Sequence, residues 1–233
     1  MYDTYKPTAD WHPVVVEADL DEPLSRWLWL VKWLLVIPHY IVLWCLSVVY
    51  VLLTVVAMVA ILFTGRYPRG IFDFNVGVLR WSWRVAYYSY GALGTDRYPP
   101  FTLAERPDYP ARLDIAYPGE LSRPSVLFKW WLLALPHYFV AAVLLGGYRF
   151  AGWPGLGLIG ILVLIAGVGV AVTGSYLRGV FDFVIGLDRW VLRVVAYVSL
   201  MTDQYPQFRL DQGGREPAPA PLPGAGGHEP RIG

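Results

Sequence analysis

The sequence predicts an all-α membrane protein made of two tandem pseudo-symmetric repeats, and three observations carry that prediction. The first is duplication. Lys32–Trp33…Pro38–His39–Tyr40 returns as Lys129–Trp130…Pro136–His137–Tyr138, and Gly70-Ile-Phe-Asp-Phe74…Gly77…Arg80–Trp81…Arg84 returns as Gly179-Val-Phe-Asp-Phe183…Gly186…Arg189–Trp190…Arg193. Thr95–Asp96…Tyr98–Pro99…Phe101 likewise returns as Thr202–Asp203…Tyr205–Pro206…Phe208. A unit of about a hundred residues, stated twice, marks a two-fold repeat architecture. The second observation is composition: 56% of residues are hydrophobic and 16% aromatic, with a mean hydropathy of +0.42, above the range of soluble domains. The third is an apolar run from Trp27 to Phe63 in which Lys32 and His39 are the only basic or acidic residues. Repeat one is assigned to 1–103, a linker to 104–110, repeat two to 111–211 and a Pro/Gly-rich tail to 212–233.

The N-terminus opens with Asp3, Lys6, Asp10 and Pro13 in place of a basic stretch before an apolar core, so the first apolar run is expected to stay as structure. As one helix, Trp27 to Phe63 would extend roughly 55 Å against a hydrocarbon core of roughly 30 Å. Two spans and a turn fit better. In repeat two, Val126–Leu145 and Gly155–Val172 are separated by the Gly-, Trp- and Tyr-containing stretch 146–154, which reads as the loop of a helical hairpin. By analogy the turn of repeat one falls near Cys45–Val49. Of 19 Lys and Arg residues, only Arg149 lies in the loops pointing away from the termini. The positive-inside rule then gives a multi-pass protein of the cell inner membrane with both termini in the cytoplasm. A six-span version, with Arg97, Arg106, Arg112 and Arg123 facing outward, is the alternative.

After each hairpin comes a helical stretch, Ile71–Leu93 and Val180–Leu200. Asp73, Gly77, Arg80 and Arg84 form one stripe at 100° per residue, repeated by Asp182, Gly186, Arg189 and Arg193. Two arginines at mid-span are unfavourable, so these helices are expected to lie amphipathically on the cytoplasmic interface. The two aspartates would sit in the first turn, where the helix dipole favours a carboxylate. Short strands are expected at Val14–Ala18, Ala111–Ile115, Phe101–Leu103 and Phe208–Leu210, joining the halves as a small cytoplasmic sheet. Pro217–Pro221 and Gly224–Gly227 mark a disordered tail.

Two residue sets could carry chemistry. His39 and His137, with Tyr40 and Tyr138, follow prolines placed about ten residues into apolar helices, near the bilayer midplane. An intramembrane histidine pair invites a proton- or ligand-handling reading; the plainer reading is that His and Tyr satisfy backbone groups freed by the kink. A haem would need more histidines than one per repeat, and no Cys-x-x-Cys-His is present. The second set, Asp73, Arg80, Arg84, Asp182, Arg189 and Arg193, reads either as a lipid-headgroup groove or as an inter-repeat clamp in which Gly77 and Gly186 allow close approach.

No nucleophile elbow, P-loop, dinucleotide motif or zinc-ligand spacing occurs, so no catalytic residue, metal or cofactor is expected. Cys45 is expected to be a buried inert thiol. A net charge of +1 argues against nucleic acid as a partner. The duplicated Arg-Gly-[Ile/Val]-Phe-Asp-Phe…Gly…Arg-Trp…Arg block, followed by Asp-x-Tyr-Pro-x-Phe, resembles an uncharacterised, actinobacterial-type integral membrane protein family defined as a domain of unknown function. The resemblance covers Val14–Leu103 and Ala111–Leu210. It implies no activity and transfers no site residue. At this level the expected function is that of a non-enzymatic accessory or scaffold protein that organises membrane lipids or a membrane-protein complex; the rival is a small transporter or channel using the histidine pair.

Overall fold

The computed structural model describes residues 12–146, 149–150, 153–154 and 157–215. Strand β1 (Val14–Ala18) leads through a 3-10 turn (Leu28–Leu30) and the short α1 (Lys32–Leu35) into α2 (Ile37–Thr64) and α3 (Arg69–Tyr88). Repeat two follows the same course: β2 (Ala111–Ile115), α4 (Arg123–Phe128), a π-turn (Lys129–Leu133), α5 (Leu135–Leu145), α6 (Leu158–Thr173) and α7 (Arg178–Val198), with β3 (Arg149–Phe150) and β4 (Trp153–Pro154) between α5 and α6.

The strands β1 and β2 pair antiparallel about Val16↔Leu113, where the pseudo-two-fold axis passes. Alternate residues of each are buried, so one face rests on the helices while the other carries Glu17, Arg112 and Asp114 outward. Phe101–Leu103 and Phe208–Leu210 are not strands; they run as loops whose partly exposed phenylalanine rings stack over the buried histidines.

The layering differs from the sequence expectation in three ways, all from packing. First, α3 and α7 do not lie free on an interface. Each is held between an apolar helix and the strand layer, burying Trp81, Trp83, Arg84, Trp190 and Arg189. Both helices start two residues earlier than expected, at Arg69 and Arg178, which moves Asp73 and Asp182 beyond the first turn. Second, the proline is not a mid-helix kink. Pro38 and Pro136 occupy the first turn of new helices, α2 and α5, where a missing N–H costs nothing. Third, there is no hairpin in repeat one. Residues Cys45–Val49 continue α2 without interruption, and Cys45 is exposed on that helix, not buried.

Repeat two is the same long helix, interrupted. A Cβ on Gly157 would lie 2.1 Å from the Leu144 carbonyl and 2.3 Å from the Gly146 nitrogen, closer than side-by-side helices pack. The end of α5 therefore abuts the start of α6. Both ends of the pair dock as the ends of α2 do. His39 and His137 sit against the Tyr98–Phe101 and Tyr205–Phe208 loops. Gly65 and Gly174 end α2 and α6 in left-handed conformation, at φ +73° and +80°, under the guanidinium groups of Arg123 and Arg26 respectively. Each helix C-terminus thus receives a cation from the opposite repeat, the favourable sign for its dipole. The 28 residues of α2 match the 11 of α5 and 16 of α6 placed end to end around Gly157. Gly157 thus resumes, at the end of α5, the helix line that Gly146 ends. A variant lacking 146–156 is accordingly expected to fold with near wild-type helicity and thermal stability; loss of folding would restore the hairpin reading.

Among the described residues, α2 is the one helix long and apolar enough to cross a membrane. It runs antiparallel along α3, with Tyr40 against Ser89 near one end and Thr54 against Asn75 further along. Its outer face exposes Ile41, Trp44, Val48, Leu52, Val56 and Phe63, and the α5–α6 helix exposes Phe139, Leu145, Ile161, Ile165 and Val172.

Candidate functional site

The structure places the two residue sets in separate, duplicated constructions. Each histidine is closed inside its own repeat. His39 is fully buried, stacked on Phe101 at 3.9 Å between ring centroids, with Tyr98 and Trp81 around it. The Trp81 indole N–H donates to His39 Nδ1 at 3.1 Å, which assigns the proton to Nε2, an atom with no hydrogen-bond partner. His137, also fully buried, stacks between Phe208 and Trp190. Its Nε2–H donates to the Pro206 carbonyl at 2.9 Å and its Nδ1 faces the Tyr205 hydroxyl at 3.4 Å. Both rings therefore carry the same tautomer and share no partner. They lie at the third residue of α2 and α5, beside loops of the strand layer, and not ten residues inside a span.

Tyr40 bonds Ser89 at 3.2 Å on its own repeat. Tyr138 lines an apolar cavity of about 470 Å³ with Tyr50, Thr54, Met58 and Leu200. In the other half the corresponding space is closed by the Trp29 ring, which comes within 3.2 Å of a Cβ at Gly167.

The arginine stripe crosses between repeats. Arg80 of α3 donates from Nε to the Leu113 carbonyl of β2 at 2.9 Å and pairs with Asp114. Arg189 of α7 donates from Nε and Nη2 to the Val16 carbonyl of β1, each at 3.0 Å. It also reaches the carbonyls of Gly213, at 2.8 Å, and Asp211. The second arginine of each stripe stays within its repeat: Arg84 bonds the carbonyls of Ala104, at 3.0 Å, and Thr102, and Arg193 pairs with Asp211 at 2.7 Å. Partial burial would raise the Asp211 carboxyl, but the Arg193 hydrogen bond and charge outweigh it and hold the group below the usual carboxylate range. Gly77 and Gly186 lie where a Cβ would meet Leu103 at 2.8 Å and the Asp211 carbonyl at 3.2 Å, so the close approach is to the loops after the Tyr-Pro motifs, not to a second helix. Among the described residues Asp73 pairs only with Arg69, one turn back, at 3.9 Å. Asp182 accepts a backbone bond from Gly213. Neither aspartate joins the clamp.

A third duplicated pair was not singled out from the sequence. Lys32, buried, bonds the Thr95 carbonyl at 2.7 Å and Asp96 at 2.9 Å; Lys129, also buried, bonds the Thr202 carbonyl at 3.2 Å and Asp203. Asp96 and Asp203 in turn accept from the Ser25 and Ser122 N–H groups. The signal lay in the recurrence itself, since Lys-Trp and Thr-Asp are repeated as faithfully as the histidines. Among the described residues no cluster of three His, Cys, Asp or Glu could hold a metal.

This geometry defines a pseudo-two-fold helical protein in which each repeat pairs one long apolar helix with one buried, arginine-bearing helix. The chain belongs to the DUF4389 family, a domain of unknown function, whose model matches residues 26–102 and again 124–209. The two matches fall one in each structural repeat, each beginning after that repeat's strand. No curated protein and no solved structure matches the chain.

Proposed function

We propose that this protein is a non-enzymatic accessory or scaffold protein of the cell membrane, embedded from one side through α2 and the α5–α6 helix. The strand layer and both termini lie on the cytoplasmic side, and the apolar layer organises lipid or a membrane-protein partner. The observation that carries this reading is the apolar helix layer, exposed along its length while both ends of α2 are tied to loops of the strand layer. At one end His39 sits on Phe101; at the other the Leu121 N–H donates to the Gly65 carbonyl and the Tyr117 hydroxyl to the Tyr67 carbonyl. A helix of 28 residues is about 42 Å long, and with both ends held by one layer it lies along the membrane rather than through it. An exposed patch of this size marks an interaction face, and its predominantly aliphatic and aromatic character matches acyl chains. Headgroups are served by Arg66, Arg69 and Arg178, all exposed just past the ends of α2 and α6, whereas the stripe arginines are committed to protein carbonyls.

The test uses single cysteines in the segments before and after α2, Ser25→Cys or Arg66→Cys in a Cys45→Ser background, labelled in right-side-out and inverted vesicles. Both positions are expected to label from the cytoplasmic side only. Labelling from opposite sides would mean that α2 crosses the bilayer and would overturn the one-sided reading.

A further inference from the structure

The two repeats also differ at the outer edges of the strand layer, where symmetry predicts identity. Along the outer edge of β1 runs the irregular segment Asp211–Gly214: Ala18 N–H donates to the Gly214 carbonyl at 2.7 Å, Arg189 to the Gly213 carbonyl at 2.8 Å, and Gly213 N–H to the Asp182 carbonyl at 3.3 Å. A Cβ at Gly214 would lie 2.2 Å from the Ala18 carbonyl, so only glycine fits there. Beyond it Arg215 bonds Asp19 at 3.2 Å.

The pseudo-two-fold carries Ala18, Asp19, Phe181, Asp182, Ile185 and Arg189 onto Ile115, Ala116, Phe72, Asp73, Val76 and Arg80. There the same space is an open cleft of about 360 Å³, lined by those residues together with Arg69, Asp114 and Tyr117. Repeat one does not fill it because its chain turns away after Ala104 to enter β2. The Ile115 N–H is turned outward from β1, as the ladder alternation requires, since the next residue, Ala116, donates to Pro13 at 2.8 Å. It has no partner among the described residues.

The sequence beyond Arg215 contains a matching piece. Gly213–Gly214–Arg215–Glu216–Pro217 recurs as Gly226–Gly227–His228–Glu229–Pro230. The one position that differs is the one whose partner differs: Arg215 faces Asp19, while His228 would face Ala116, so both halves of that ion pair are absent together. We propose that Gly226–Pro230 of this chain docks in the cleft beside β2, with the Gly227 carbonyl accepting from Ile115 N–H and the Gly226 carbonyl facing Arg80. Strand addition of this kind recruits an unpaired edge donor through main-chain bonds. The geometry permits it within one molecule. The 13 residues from Gly214 to Gly227, rich in proline, extend to roughly 40 Å, and strand spacing and rise put the two edge sites roughly 20 Å apart. The sheet is then closed on both edges and the C-terminus is held against the strand layer.

Residue-resolved hydrogen exchange on three purified chains tests this: the full chain, a chain ending at Arg215, and the full chain with Gly227→Leu. The Ile115 amide is expected to exchange about tenfold more slowly in the full chain than in either variant. A synthetic peptide of residues 222–233 should restore protection to the shortened chain, and its Gly227→Leu form should not. Equal exchange in all three chains would overturn the proposal, as would protection that survives Gly227→Leu. Protection that falls on dilution would assign the segment to a second copy and overturn docking within one chain. None of these readouts depends on how the protein meets the membrane.

Discussion

Replacing Arg189 with alanine is expected to destabilise the protein by about 3 kcal/mol or more, against about 1 kcal/mol for Arg80→Ala, since an unsatisfied buried polar group costs roughly 1–3 kcal/mol. The two residues are symmetry mates with the same sequence context, yet their surroundings are unequal. Arg189 is 0% exposed and its guanidinium serves the carbonyls of Val16, Asp211 and Gly213, in strand and loop segments from both ends of the chain. Removing it takes a donor from all three acceptors at once. Arg80 holds one strand carbonyl and pairs with Asp114, and the side chain of that partner is 64% exposed, so water replaces much of what is lost. Arg189→Lys should recover little, because an ammonium is a compact charge that cannot reproduce a planar fork spread over three acceptors. Denaturant unfolding of the detergent-solubilised protein measures both variants. Equal losses would mean that the clamp across the repeats is not what holds the β1 side together.

The sequence made the duplication, the helical class and most elements readable, because each rests on periodicity or recurrence that local residues carry. What it hid was which copy is the regular one. The Gly- and Trp-containing stretch 146–154 reads as the loop of a hairpin, so α2 was expected to fold back near Cys45. In the structure the inference runs the other way: α2 is the undisturbed form, and Gly157 lets α6 resume against the end of α5. A local pattern marks a break in a helix but not the direction in which the chain resumes, and that direction is set by where both ends dock. The same holds for the candidate residues. Their pairing by type was legible, whereas the partners of the four arginines lie 18 to 173 residues away along the chain and are mostly backbone carbonyls, which carry no sequence signature. The burial of α3 and α7 was missed for a related reason. Arginines on a helix read as solvent- or headgroup-facing unless a strand edge with outward carbonyls lies opposite, and that edge comes from the other repeat. The tail beyond Arg215 lies outside the described residues, but Gln212–Arg215, assigned to it from composition, belongs to the folded unit through the bonds of Gly213 and Gly214 to α7 and β1.

Asp188→Leu is expected to stabilise the protein at neutral pH, by about 1–3 kcal/mol, the range for relieving a buried polar group of a missing hydrogen bond. Asp188 stands in α7 where repeat one has Leu79. It is buried, its Oδ2 has no hydrogen-bond partner, and burial pushes its carboxyl well above the usual carboxylate range. The sign follows from linkage. A pKa raised in the folded state means that the folded protein holds this proton more tightly than the unfolded chain, whose aspartate titrates near 3.9. The contribution is therefore fully present below about pH 4 and is lost as pH rises toward the folded value, by about 1.4 kcal/mol for each unit of separation. Wild type and Asp188→Leu should thus differ least near pH 4 and most at pH 7 to 8, while Asp188→Asn should remove the pH dependence without supplying the packing of leucine. Thermal unfolding of the three proteins across that range is the measurement, and parallel curves for wild type and Asp188→Leu would show that the carboxyl is ionised and solvated in the folded protein. Repeat one supplies the internal control: Leu79 already fills the equivalent space between α3 and its neighbours, so the leucine that Asp188→Leu introduces is one this architecture has accommodated once.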